Sequence, residues 1–156
     1  MEIIVGIGDY AVSGHQEDIL KTYALASCVG VTFYCPKSGV AAMIHVVLPD
    51  HKQINSTVTN PSYFASTGVP MLVNKLERAY GCKRKDLVIR LYGGADSIRH
   101  KDLFCIGRKN IFAITHLLSE MELRYTFSGV GGTICRTLEM DVATGNVKVY
   151  TQPIKI

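Results

Sequence analysis

The sequence predicts an α+β domain in which helices cover a mainly antiparallel or mixed sheet system. Three observations lead there. Segments rich in β-branched and aromatic residues recur along the chain, and short turn sequences join several of them, as Pro36-Lys37-Ser38-Gly39 joins Val29–Cys35 to residues 40–48. Only residues 61–80 and 107–121 carry apolar residues at helical spacing. The strands group as hairpins and do not alternate one by one with helices, which argues against a doubly wound parallel sheet.

Taken in order, residues 2–12 open with alternating apolar positions and read as one strand, followed by the polar loop Ser13-Gly14-His15-Gln16-Glu17-Asp18. Residues 22–27 lead into the hairpin. If Cys35 pairs with Val40 around the four-residue turn, His45 falls opposite Gly30, and Cys28 becomes its diagonal neighbour on the same face. A slip of one residue would send the two side chains to opposite faces. The polar run 50–60 reads as a surface crossing at the border of a site. In the first helix Met71, Leu72, Leu76 and Ala79 mark one face, Pro70 stands at a kink or first-turn position, and Gly81 is the stop. Residues 87–92 form a strand running into Gly93-Gly94. The second helix presents Ile111, Ile114, Leu117 and Leu118. A strand at 123–127, a tight connection at Gly129-Val130-Gly131-Gly132, and a hairpin of 136–142 with 146–152 complete the chain. One domain is expected over 1–156, since a chain of 156 residues with 47% hydrophobic composition fills one core and does not require two.

Composition narrows the function classes. The longest apolar stretch, 40–48, falls far short of the ~20 residues a spanning helix needs, and Met1-Glu2-Ile3 opens no signal-like run, so a cytoplasmic protein without membrane insertion is expected. The five cysteines are odd in number and lack C-x-x-C spacing, which speaks against a disulfide framework and a zinc site; no metal or organic cofactor is implied. The net charge of +4 is scattered except for Lys83-Arg84-Lys85, which reads as a solvated loop and not a nucleic-acid patch. Gly93-Gly94 and Gly131-Gly132 lack the spacing of phosphate loops and read as sharp turns.

Taken alone, a cysteine and a histidine on neighbouring strands are more often core and edge residues than a catalytic pair, because free cysteine is usually buried and inert. Cys28 is distinguished by having a histidine on its own hairpin face. Cys35 points to the opposite face, and Cys82, Cys105 and Cys135 have no histidine nearby in sequence. Phe104 reads more readily as an ordinary core residue than as an exposed anchor.

Six motifs in order then resemble the CheD family of chemoreceptor glutamine deamidases: Leu25-Ala26-Ser27-Cys28-Val29, His45-Val46-Val47-Leu48-Pro49, Tyr92-Gly93-Gly94-Ala95, Ile106-Gly107-Arg108-Lys109-Asn110, Gly131-Gly132, and Asp141-Val142-Ala143-Thr144-Gly145-Asn146-Val147. The resemblance implies a β-sandwich core flanked by helices, similar to other cysteine hydrolases that deamidate protein glutamines. It implies Cys28 as nucleophile, His45 as base and Thr22 as the group that orients the histidine. It also implies methyl-accepting chemoreceptors as substrate, with methylesterase activity at the same site as an extension, and a CheC-type phosphatase as partner, for which Phe104 is the candidate contact. The backbone N–H groups of Cys28 and Ser27 are the candidate oxyanion donors. An imidazolium at His45 would hold the Cys28 thiol below its ordinary pKa of ~8.5. Ala26, Val47 and Asp96-Ser97 depart from the family pattern. Two readings of other classes remain beside the deamidase: a regulatory module that acts by docking to the phosphatase, and a redox-sensing thiol protein.

Overall fold

The computed structural model describes residues 1–53, 60–96 and 105–154. Among these residues the strands are β1 (Glu2–Ile4), β2 (Tyr10–Ser13), β3 (Ile19–Leu25), β4 (Val29–Cys35), β5 (Val40–Val46), β6 (Val88–Gly93), β7 (Thr126–Val130), β8 (Ile134–Asp141) and β9 (Val147–Pro153), with helices α1 (Ala65–Tyr80) and α2 (Ile106–Glu120). They build one sheet in the order β1-β3-β8-β9 and a second in the order β2-β5-β4-β6-β7.

The central strands β4 and β5 of the five-stranded sheet are buried on both sides. One face carries Val29, Val31, Phe33, Val40, Ala42, Ile44 and Val46 into a core shared with Val69, Leu72, Val73 and Leu76 of α1 and Ile114 and Leu118 of α2. The other face sets Ala41, Met43 and Tyr92 against Leu20, Leu25, Leu138 and Met140 of the four-stranded sheet. The result is a sandwich of two mixed sheets with both helices packed on one outer face, an α+β architecture. Burial on both faces explains why 40–46 reads as an apolar run interrupted only by His45.

The expected hairpin register holds: Cys35 pairs with Val40 and Gly30 with His45. The expected first strand does not survive as one element. β1 pairs parallel with β3 in one sheet and β2 antiparallel with β5 in the other, because Gly6-Ile7-Gly8-Asp9 intervenes with Gly8 at φ +72°. The first helix starts later than its apolar spacing suggests. Pro61–Tyr63 forms a short 3-10 turn capped by the Asn60 side chain, and Phe64 is extended at φ −114° and ψ 143° before α1 begins. Its buried stripe runs through Val69, Leu72, Val73 and Leu76, whereas Met71 is half-buried and Ala79 exposed. Gly81 does end it, in the left-handed region at φ 69°.

One irregularity in β3 shapes the site. In an unbroken strand Thr22 and Leu25 would point to opposite faces, since side chains alternate with period two. Both are fully buried, because the register shifts between them and Ala24 takes φ 57°. The bulge turns both side chains into the space between the sheets.

Candidate active site

His45 lies on the inter-sheet face of β5, in step with Ala41 and Met43, and is 1% exposed. A histidine this deeply enclosed by aliphatic residues is held neutral: burial pulls its pKa down to about 4. Its ring is oriented from across the sandwich by Thr22, whose Oγ1 lies 2.7 Å from Nδ1. The same hydroxyl donates to the Val5 carbonyl oxygen at 2.7 Å. A hydroxyl has one hydrogen, and a carbonyl oxygen can only accept, so the contact with the ring must run from Nδ1–H to Thr22 Oγ1. The proton of the neutral imidazole is therefore on Nδ1, and Nε2 keeps its lone pair. That Nε2 is buried and has no hydrogen-bond partner among the described residues.

Cys28 stands just before β4, half-buried against the inter-sheet cluster that contains Leu25, Met43 and Leu138. The pairing of Gly30 with His45 makes Cys28 the diagonal neighbour of the histidine on their shared face, with Cβ atoms expected ~7–8 Å apart or somewhat closer. The space above Gly30 is taken by Leu25 and Leu138, whose methyl carbons would each stand 2.9 Å from a Cβ at that position. The Cys28 segment is tied to the end of β6 by two backbone bonds, Gly94 N–H to the Cys28 carbonyl at 2.8 Å and Ala95 N–H to the Ala26 carbonyl at 2.7 Å. A side chain on Gly93, at φ +96°, would overlap the Cys28 carbonyl oxygen, so this glycine is there for close approach.

The resting pair is not the thiolate and imidazolium expected from proximity alone. Burial pushes the Cys28 thiol up to about 11, only partly countered by its own backbone N–H, and the two side chains are not hydrogen-bonded to each other. Desolvation outweighs the attraction of a partner that is itself uncharged, and both groups are neutral at pH 7.

The remaining candidates divide. Ser27 is half-buried beside the cysteine. Phe104 lies outside the described residues. Cys35 is 2% exposed on the helix face, with its Sγ 3.5 Å from Ser38 Oγ, and Cys82 shares that core. Asp96, where the family pattern is apolar, holds the Arg108 guanidinium through two bonds of 3.1 Å. One residue quoted only as part of a motif proves central to the geometry. Asn110 of α2 is fully buried, and its side-chain NH2 donates to the Ser27 carbonyl at 3.0 Å and the Val47 carbonyl at 2.9 Å. The only signal for it in the sequence is an amide at a position in phase with the buried Ile114 and Leu118.

Comparison with known proteins bears on the whole chain. The family model described as CheD chemotactic sensory transduction matches residues 47–151. A probable chemoreceptor glutamine deamidase CheD of Syntrophotalea carbinolica is 40% identical over 152 residues, covering 95% of this chain and 93% of that protein. The corresponding protein of Desulforamulus reducens is 36% identical over 160 residues, 99% and 95% of the two chains, and that of Pyrococcus horikoshii 35% over 151 residues, 95% and 91%. Among solved structures, the hypothetical protein YfiH of Bacillus licheniformis superposes with a TM-score of 0.53 at 14% identity; the match covers 77% of this chain and 50% of that one, and it bears on the fold alone.

Proposed function

This chain belongs to the CheD family, and we propose that it is a cytoplasmic protein-glutamine deamidase that converts glutamines of methyl-accepting chemoreceptors to glutamate, with Cys28 as nucleophile, His45 as general base and acid, and Thr22 as the residue that orients His45. Relatives named chemoreceptor glutamine deamidases align over nearly the full length. No helix among the described residues is long and apolar enough to cross a membrane. The single observation that carries the assignment of residues is the His45 Nε2 lone pair, buried and unpartnered on the face shared with Cys28 and set by the Thr22 hydroxyl.

A carboxamide carbon is a weak electrophile and ammonia a poor leaving group, so both a nucleophile and a proton shuttle are required. Because thiol and imidazole rest neutral, the proton moves from Sγ to Nε2 as the C–S bond forms, and no pre-formed ion pair is needed. The oxygen of the tetrahedral intermediate takes the negative charge beside the Cys28 N–H. Nε2–H then protonates the nitrogen as the C–N bond breaks, releasing ammonia and leaving a thioester. Water attacks the thioester carbon and gives its proton to Nε2; as the C–S bond breaks, Nε2–H returns that proton to sulfur, so that the glutamyl product is released and the thiol and neutral imidazole are regenerated. Thr22 holds Nδ1–H throughout, so that each transfer uses the same nitrogen.

Incubating a chemoreceptor cytoplasmic fragment with the protein and reading glutamine-to-glutamate conversion by mass spectrometry tests this reading. Conversion by the wild type that disappears in a folded Cys28→Ala variant is the expected result; retained conversion in that variant overturns it. The family resemblance further supports a CheC-type phosphatase as a partner docking at the same mouth. Competition between phosphatase and receptor fragment in calorimetric titration tests that, and simultaneous binding would refute a shared mouth.

A further inference from the structure

We propose that Asn110 is a positioning residue that sets the peptide plane carrying the oxyanion donor, by holding the Ser27 carbonyl so that the Cys28 N–H is aimed to the opposite side. This rests on the deamidase reading of the site.

The orientation of the Asn110 amide is determined by its partners. Two carbonyl oxygens, from Ser27 at 3.0 Å and Val47 at 2.9 Å, can only accept, so the NH2 group must face them. Both hydrogens are used, one on the cysteine segment and one just beyond the strand that carries His45. The last ladder pair of the hairpin is Val29 with Val46, so Asn110 bridges the two strands where their own pairing has stopped. It maintains their separation at the end where Cys28 and His45 must meet.

The bond to Ser27 has a further consequence. Its carbonyl belongs to the same peptide unit as the Cys28 N–H, and no peptide bond among the described residues is cis. In a trans unit the two groups point in opposite directions. Anchoring the oxygen on Asn110 therefore directs the N–H away from α2. That N–H turns toward the Cys28 sulfur, the side on which a substrate carbonyl would be attacked. Donation to the carbonyl also polarises the amide and makes its N–H a stronger donor, since hydrogen bonds in a chain reinforce one another. Asn110 is costly as a mere core residue. Its Oδ1 is buried with no partner among the described residues, and an unpaired buried acceptor calls for an explanation other than stability.

The α2 N-terminus is fitted to this task. A Cβ on Gly107 would overlap the Gly94 and Ala95 carbonyl oxygens, so only glycine lets the first turn of the helix seat against the loop that also holds Cys28.

The discriminating experiment compares two reactions of one thiol. Deamidation of a chemoreceptor cytoplasmic fragment requires an oxyanion donor, whereas alkylation by iodoacetamide is a displacement that does not. In Asn110→Ala we expect kcat to fall ~10–100-fold with KM within ~3-fold, while the Cys28 alkylation rate stays within ~3-fold of wild type. Asn110→Ser, which keeps one donor and is the milder change should the alanine variant not fold, should fall between. A purely packing role would loosen the cysteine segment, and alkylation and KM would then change as much as turnover; that outcome overturns the proposal. The Cys28 amide resonance in ¹⁵N-labelled protein provides a readout free of substrate and should move upfield in either variant. An unmoved resonance in a folded variant overturns the peptide-plane assignment. Absence of deamidation by wild type together with a moved resonance would sink the proposed function and leave that assignment standing.

Discussion

The two faces of the β4–β5 hairpin place a cysteine each in opposite circumstances. On the helix face, at the turn end, Cys35 is 2% exposed among aliphatic residues, with the Ser38 hydroxyl and the Cys82 thiol beside it and, among the described residues, no histidine. On the inter-sheet face, at the open end, Cys28 is half-buried and shares its side of the sheet with His45. Cys28 stands just before β4 and Cys35 ends it, so alternation along the strand sends the two thiols to opposite faces, and the faces differ in what lies against them. The difference lies in what crosses from the second sheet: Thr22 arrives through a bulge in β3 and supplies the only polar contact that orients the imidazole among the described residues. On the proposed reading, the face that a thiol shares with His45 decides which cysteine reacts.

The sharpest way to break the comparison is to exchange the roles of the two thiols. Cys28→Ala should lower deamidation by at least ~10³-fold while leaving the domain folded, and Cys35→Ala, Cys82→Ala and Cys105→Ala should retain substantial activity, as measured by mass spectrometry of receptor fragments. Comparable losses in Cys28→Ala and Cys35→Ala would erase the distinction between the faces.

Removing the histidine tests the inter-sheet face next. His45→Gln should reduce kcat by ~10²–10⁴-fold, the usual contribution of a general base. Its stability signature has a definite sign. The folded-state pKa of about 4 is below the ordinary 6.5, so between those values the unfolded chain binds a proton that the folded chain does not. Wild-type stability is thus fully present above pH 6.5 and falls as the pH drops toward 4, by on the order of 3 kcal/mol. Chemical denaturation across that range should show a flatter profile in His45→Gln, and an unchanged slope would place the histidine outside the buried site.

A smaller effect is expected at the orienting residue. Thr22→Val keeps the shape but strands the Val5 carbonyl and His45 Nδ1–H, which should cost ~1–3 kcal/mol of stability and lower kcat less than His45→Gln does. Denaturant titration with steady-state kinetics checks both. Full activity in this variant would show that the ring needs no help from the second sheet.

The mildest test concerns ionisation. Without substrate, Cys28 alkylation by iodoacetamide should titrate above an ordinary thiol, because burial pushes the thiol up to about 11. The folded form keeps its proton where the unfolded thiol has begun to lose it, so this group also lowers stability as pH rises from about 9 to about 11. A titration midpoint at or below that of a free thiol would mean that the neutral pair described above is wrong.

Much of this was legible in the chain because it depends on local periodicity. The turn at Pro36-Lys37-Ser38-Gly39 with period-two alternation determines that Cys28 and His45 share a face, and the αL glycine at 81 determines where α1 stops. Family resemblance brought in Thr22, which no hairpin argument could locate, since it reaches His45 from another sheet. Tertiary structure alone decided the rest. The split of residues 2–12 between two sheets, the bulge that turns Thr22 inward, the neutrality of the thiol and imidazole, and the reach of Asn110 to Ser27 and Val47 all depend on which elements meet across the sandwich and how completely they exclude water. Side-chain alternation is a property of neighbours in sequence, whereas desolvation and long-range hydrogen bonding belong to neighbours in space.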